Sequence, residues 1–148
     1  PYVAFDADAA VVAKWRGEGH PVFYGDIADP ELLGNPSLHG VDLVVLTIDD
    51  GLKAVRAAAL IRSYAPQMTI VARARDLKTC DAMRRVGVSQ AFPETLEASL
   101  QLAAHSLEAL GIPTDETSTL LRGVRSTDYA LVRSGPESAR DSQNEPPA

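Results

Sequence analysis

With one cysteine, Cys80, in 148 residues, the chain cannot form an internal disulfide, which fits a reducing cytoplasm. Three histidines, His20, His39 and His105, lie far apart and give no zinc-type ligand spacing, so no metal ligand is assigned. No apolar run approaches the 18 or more residues expected of a membrane span, and no signal peptide is present. Basic blocks are absent too. The formal net charge of −6 argues against a general nucleic-acid binder. Nucleophile constellations of the Ser/His/Asp or Cys/His type are missing, and no carboxylate is visibly paired with a base or an oxyanion donor. No catalytic residue is therefore assigned. Finally, no strand with a G-x-G-x-x-G turn precedes Asp6, although such a turn normally lies about 20 residues before an acid of this kind.

What is present is an alternation. Hydrophobic residues make up 45% and charged residues 23%, a composition that suits one globular domain with a tail. Strand and helix patterns alternate from residue 2 to about 111, which predicts an α/β fold with a parallel sheet and helices on both faces. Strands are expected at Tyr2–Phe5, Val22–Tyr24, Leu43–Ile48, Thr69–Ala74 and Gln90–Phe92. Asp8, Asp29, Asp50 and Asp76 stand where helix caps belong. The first helix would bury Val11, Val12 and Trp15, and the continuous apolar run Leu43–Ile48 reads as a strand covered on both faces. Asn35-Pro36 speaks against a long helix there. From Leu96 to Leu110 apolar residues recur at three- and four-residue steps, the clearest amphipathic helix of the chain. A short helix from Thr114 or Asp115 follows, with Leu120 and Leu121 inward. Residues 134–148 read as a disordered tail.

Polar residues collect at the carboxyl tips of the expected strands, which is where open α/β sheets bind ligands. Asp6 ends the first strand and suits hydrogen bonds from ribose hydroxyls; a loop acid or cap is the plainer alternative. Gly25-Asp26 follows the second strand, where glycine admits a ligand ring and the acid can meet an amino or hydroxyl group, or where the two simply turn the chain. Thr47 and Ile48 offer backbone groups at the end of the third strand, and Asp49 stands beside them. Arg73 and Arg75, two apart on a strand, share a face. They fit either an anionic ligand or internal salt bridges to Asp49, Asp76 or Glu94.

The segments Val22-Phe23-Tyr24-Gly25-Asp26, Thr47-Ile48-Asp49-Asp50, Ile70-Val71-Ala72-Arg73-Ala74-Arg75-Asp76 and Pro93-Glu94-Thr95-Leu96-Glu97-Ala98, in this order, resemble the regulator-of-potassium-conductance nucleotide-binding domain (RCK, KTN or TrkA-N-like). More specifically they resemble the cytosolic domain of Kef-type potassium efflux antiporters. The resemblance implies a Rossmann-like regulatory domain, not an enzyme, that binds an adenine nucleotide or dinucleotide (NAD(H), AMP or ATP). It implies pairing with a second copy, and action on a membrane transporter from the cytoplasmic side of the plasma membrane. Carried over by position, Asp6 would hold the ribose, Asp26 would lie near the adenine, and Thr47, Ile48 and Asp49 would line the far side. Arg73, Arg75 and Glu94 would fall toward the crevice and the subunit contact, and the 95–111 helix would be the dimer-crossing helix. Domains are expected at 1–111 (a partial RCK N-terminal domain), 112–133 (a helical extension) and 134–148 (the tail).

The chain opens at what corresponds to the family's second strand. The Gly-rich turn is therefore expected to be missing and nucleotide binding weakened. Tyr2–Phe5 and Leu43–Ile48 are expected to lack a neighbour between them. Other classes fit less well. A small SAM-dependent methyltransferase would need a final hairpin and a substrate lid after Glu94. An NAD-dependent oxidoreductase would need a substrate domain and a proton donor.

Overall fold

Short-range chemistry decides where the helices of this protein begin. In the computed structural model, which describes residues 1–33 and 40–133, Asp8 accepts from the backbone N–H groups of Ala10 and Val11 and opens α1 (Ala9–Gly17). Asp50 accepts from Leu52 and Lys53 and opens α3 (Gly51–Tyr64), and Asp76 accepts from Thr79 at the start of α4 (Leu77–Arg85). Each acid answers N–H groups that have no partner inside the helix. Asp29 does the same for Glu31 at the short α2 (Pro30–Leu33). Asn35-Pro36, His39 and the segment 134–148 lie outside the described residues.

The chain divides into two units, Pro1–Leu96 and Glu97 onward. In the first, the strands form two parallel sheets. One pairs β1 (Ala4–Asp6) with β2 (Val22–Tyr24); the other has the order β3 (Leu43–Leu46), β4 (Thr69–Ala74), β5 (Gln90–Pro93). β1 and β3 each keep an edge without a strand neighbour among the described residues, as the sequence led us to expect. The core lies on one face of β3–β5. There Leu46, Ile70, Ala72, Ala74 and Ala91 pack against Ala54, Ala58 and Ile61 of α3 and Cys80 and Met83 of α4. Alanines facing alanines let helix and sheet approach closely, and Ile27, Ile48 and Val86 seal the margins.

Three expectations need correction. Leu43–Ile48 is not covered on both faces: Val45 is 58% exposed and Leu43 and Phe92 share its open side, because α3 and α4 both lie on the other face. Trp15 is not core either. Val12 alone is buried in α1, and the indole stands against His20 with the Lys14 ammonium over its ring. In the second unit, Leu120 is exposed while Leu121 is buried.

The second unit holds most of α5 (Glu94–Ala109), then α6 (Thr114–Ser126) and α7 (Ala130–Arg133). As expected, α6 starts at Thr114, after Pro113, which supplies no side-chain cap; at 13 residues it is longer than the short helix expected. Along α5 only Ala104 is fully buried and Leu102 stands open, as does Leu110 just past its end. Glu97 receives Nε and Nη2 of Arg125 (3.0 and 2.7 Å) and the hydroxyl of Tyr129 (2.6 Å). That network fastens the turn between α6 and α7, where Asp128 and Tyr129 both take positive φ (50° and 59°).

Candidate functional site

The carboxyl ends of the five strands carry the polar residues singled out from the sequence. At the end of β3, the chain leaves the sheet through Thr47, Ile48 and Asp49 before Asp50 starts α3. The Ile48 side chain turns into the core margin, so this turn is anchored from below. From β4, Arg73 reaches across its own strand end in two directions. Its Nη2 donates to the Thr47 carbonyl (2.7 Å) and to the Asp49 carboxylate. Its Nη1 meets Glu94, the first residue of α5, at 3.1 Å. One guanidinium therefore ties the exits of β3, β4 and β5 together. Partial desolvation opposes its charge, but Glu94 and then Asp49 outweigh that and hold the Arg73 pKa above its ordinary value.

Arg75 behaves differently. β4 ends at Ala74, so Arg75 lies past the strand on the loop into α4, and it is exposed. The shared face expected for the two arginines is lost there, because strand alternation stops one residue too early. Arg75 adds a minor part to the lowered pKa of Asp76, whose main cause is the hydrogen bond from the Thr79 backbone. Of the two readings for the arginine pair, Arg73 shows the internal salt bridge and Arg75 shows none among the described residues.

Asp6 and Asp26 sit on the β1–β2 sheet. Oδ1 of Asp6 accepts from the Asp8 backbone (2.8 Å), and its Oδ2 carries no hydrogen bond among the described residues. The Asp6 carbonyl takes the N–H of Gly25 (3.0 Å), which places the tips of β1 and β2 side by side. Asp26 is exposed and accepts from Ala28 (2.9 Å) as it rounds the turn into α2. Gly25 stands between the end of β2 and Asp26. A Cβ there would come within 3.3 Å of Leu32 and 3.5 Å of the Phe5 ring, so the space beside it is filled by the protein's own side chains. Leu32 was not visible as a site neighbour in the sequence; its only sign was the Asp29-Pro30 helix start just before it.

The structure thus brings Thr47, Asp49, Arg73 and Glu94 into direct contact, sets Asp6 and Asp26 at two adjacent strand tips, and leaves Arg75 apart. No group of three His, Cys, Asp or Glu side chains among the described residues could hold a metal ion. No helix among them is long and apolar enough to cross a membrane.

Residues 1–94 match the family model of the TrkA-N domain. The chain belongs to the TrkA-N family. Among curated relatives, it is 34% identical over 110 residues to the glutathione-regulated potassium-efflux system protein KefC of Cronobacter sakazakii, covering 74% of this chain and 18% of KefC. It is 30% identical over 125 residues to the K(+) efflux antiporter 3, chloroplastic, of Arabidopsis thaliana, covering 84% of this chain and 16% of that protein. This TrkA-N chain therefore spans less than a fifth of these relatives' length. Among solved structures, the Shewanella denitrificans Kef CTD in AMP-bound form superposes with a TM-score of 0.68 at 25% identity, covering 87% of this chain and 92% of that one. The parallel α/β architecture is that of a Rossmann-like TrkA-N domain.

Proposed function

We propose that this TrkA-N chain is the regulatory nucleotide-binding domain of a potassium efflux antiport system, and that it performs no catalysis of its own. In this reading an adenine nucleotide or dinucleotide (AMP, ATP or NAD(H)) lies across the carboxyl edge of the first unit and biases transport by a membrane partner. Asp6 holds the ribose and Asp26 faces the base. Thr47, Ile48 and Asp49 form the far wall, with Arg73 behind it and Arg75 and Glu94 toward the partner side. A second copy pairs through the 95–111 helix, and the domain works at the cytoplasmic face of the membrane. The observation that carries the reading is the uncommitted Oδ2 of Asp6 beside the β1–β2 tips, in a family whose Kef CTD relative is AMP-bound. Exposed Leu102 of α5 and Leu110 just past its end support the pairing.

Asp6→Ala is the test. Hydrogen bonds to a charged acceptor are worth roughly 1.5–3 kcal/mol each, so AMP and NADH should bind about tenfold or more weakly while the melt stays close to that of the parent. Titration calorimetry reads the first and circular dichroism the second. Equal affinities in parent and variant would remove Asp6 from the site. Potassium efflux from cells carrying Asp6→Ala in the complete transporter should lose its nucleotide response.

A further inference from the structure

Arg73 holds a peptide group as well as two acids. The Thr47 carbonyl accepts from its Nη2 at 2.7 Å; the same nitrogen meets Asp49, and Nη1 meets Glu94. Two carboxylates against one guanidinium leave this trio with a net negative charge, which repels the phosphate of a nucleotide. The carbonyl contact has a different consequence. None of the described peptide bonds is cis, and in a trans peptide the N–H points opposite to the C=O. With the Thr47 carbonyl turned to the guanidinium, the Ile48 N–H is turned away from it. That N–H has no hydrogen-bond partner among the described residues. It stands just past the carboxyl end of β3, a strand whose other edge has no neighbour among those residues. A backbone donor free at such a tip is open to an acceptor in the crevice.

The side chains around this turn do not choose that orientation. Leu46 is buried and Ile48 packs at the core margin, which sets where the turn runs. The peptide plane between Thr47 and Ile48 can still rotate, through ψ of the first and φ of the second, with both anchors in place. Among the described residues, the hydrogen bond from Arg73 is the contact that selects one orientation. We propose that Arg73 is a positioning residue: it holds the Thr47–Ile48 peptide so that the Ile48 N–H donates to the adenosine part of the bound nucleotide, and it does not itself bind the phosphate. This rests on the nucleotide reading above and gives Arg73 its role there. Asp49 and Glu94 keep the guanidinium in place.

The experiment compares AMP with adenosine on the full 148-residue chain. Arg73→Gln removes the guanidinium, and both ligands should weaken by the same factor, about three- to tenfold, in titration calorimetry. Arg73→Lys keeps the charge without the planar fork and should behave like Arg73→Gln. In amide NMR spectra of the unmutated chain, either ligand should move the Ile48 amide proton downfield, and this shift should be lost in Arg73→Gln. A purely structural arginine would leave that shift unexplained, and the spectrum of the unmutated chain decides even if the variants fold poorly. Affinities unchanged in Arg73→Gln, AMP weakened there with adenosine untouched, or an Ile48 amide proton unmoved by bound AMP each overturn the positioning role while the nucleotide reading stands. Failure of both AMP and adenosine to bind the unmutated chain overturns both.

Discussion

Tyr129 is the residue whose backbone asks most of its surroundings. A bulky side chain at φ 59° is rare, and here it follows Asp128 at φ 50°. Burial of the ring and the 2.6 Å hydrogen bond to Glu97 hold it there. Hydrogen bonding from Arg125 is the main reason Glu97 titrates below its ordinary range; desolvation opposes it and the Tyr129 hydroxyl adds to it. A carboxylate with a lowered folded pKa stabilises the protein above its unfolded pKa, and that contribution fades as pH falls through the folded value. Tyr129→Phe should thus cost about 1–2 kcal/mol near neutral pH, toward the lower end for a part-exposed charged acceptor. The difference should shrink below the ordinary glutamate range. Melts of the parent, Tyr129→Phe and Glu97→Gln from pH 7 down to strongly acidic pH would show this, with Glu97→Gln flattening the acid limb. Parallel acid limbs in all three would assign the strain to ring burial alone. The network was illegible in the sequence, because it joins residues 28 and 32 positions apart that no local pattern links.

Among the elements, what could be read locally was read well. Asp8, Asp50 and Asp76 cap their helices because a cap is settled within three residues. Strand periodicity likewise placed β2 and β4 at their observed bounds. The coverage of a sheet face is not local. Nothing within Leu43–Ile48 says that α3 and α4 choose the same side, so Val45 was misjudged. The candidate site divides along the same line. Its acids at strand tips follow from strand ends, whereas Arg73 clasping Thr47 and Asp49 from 26 and 24 residues away was only one of two readings. The neighbours Asp49 and Asp50 make the contrast measurable. Asp50→Ala removes a cap and should cost about 1 kcal/mol in a denaturant titration. Asp49→Ala should barely move the midpoint, since that carboxylate is almost wholly solvated, yet it should alter AMP affinity. Equal stability losses would mean that Asp49 belongs to the scaffold.

For the molecule as a whole, the two sheets of the first unit leave β1 and β3 with unpaired edges, and β3 adds an open apolar side through Leu43 and Val45. Unprotected strands of this kind recruit other chains. The 148-residue chain should therefore associate beyond a pair as its concentration rises. Val45→Lys, which puts a charge on that strand's open face, should suppress the effect without altering the far-ultraviolet spectrum. Sedimentation velocity over a concentration series reads it directly. No species larger than a dimer at any concentration would show these edges to be harmless.

Cys80 has no solvent exposure and packs in the centre of the β3–β5 core. It is the chain's one thiol. A sulfhydryl reagent in the solvent can reach it only when that core comes apart, so the rate of colour development with such a reagent is a clock for opening of the first unit. No label or added tryptophan is needed. Any small molecule that binds the closed form slows the clock by the factor by which it is bound, which turns a buried sulfur into a ligand screen read by eye.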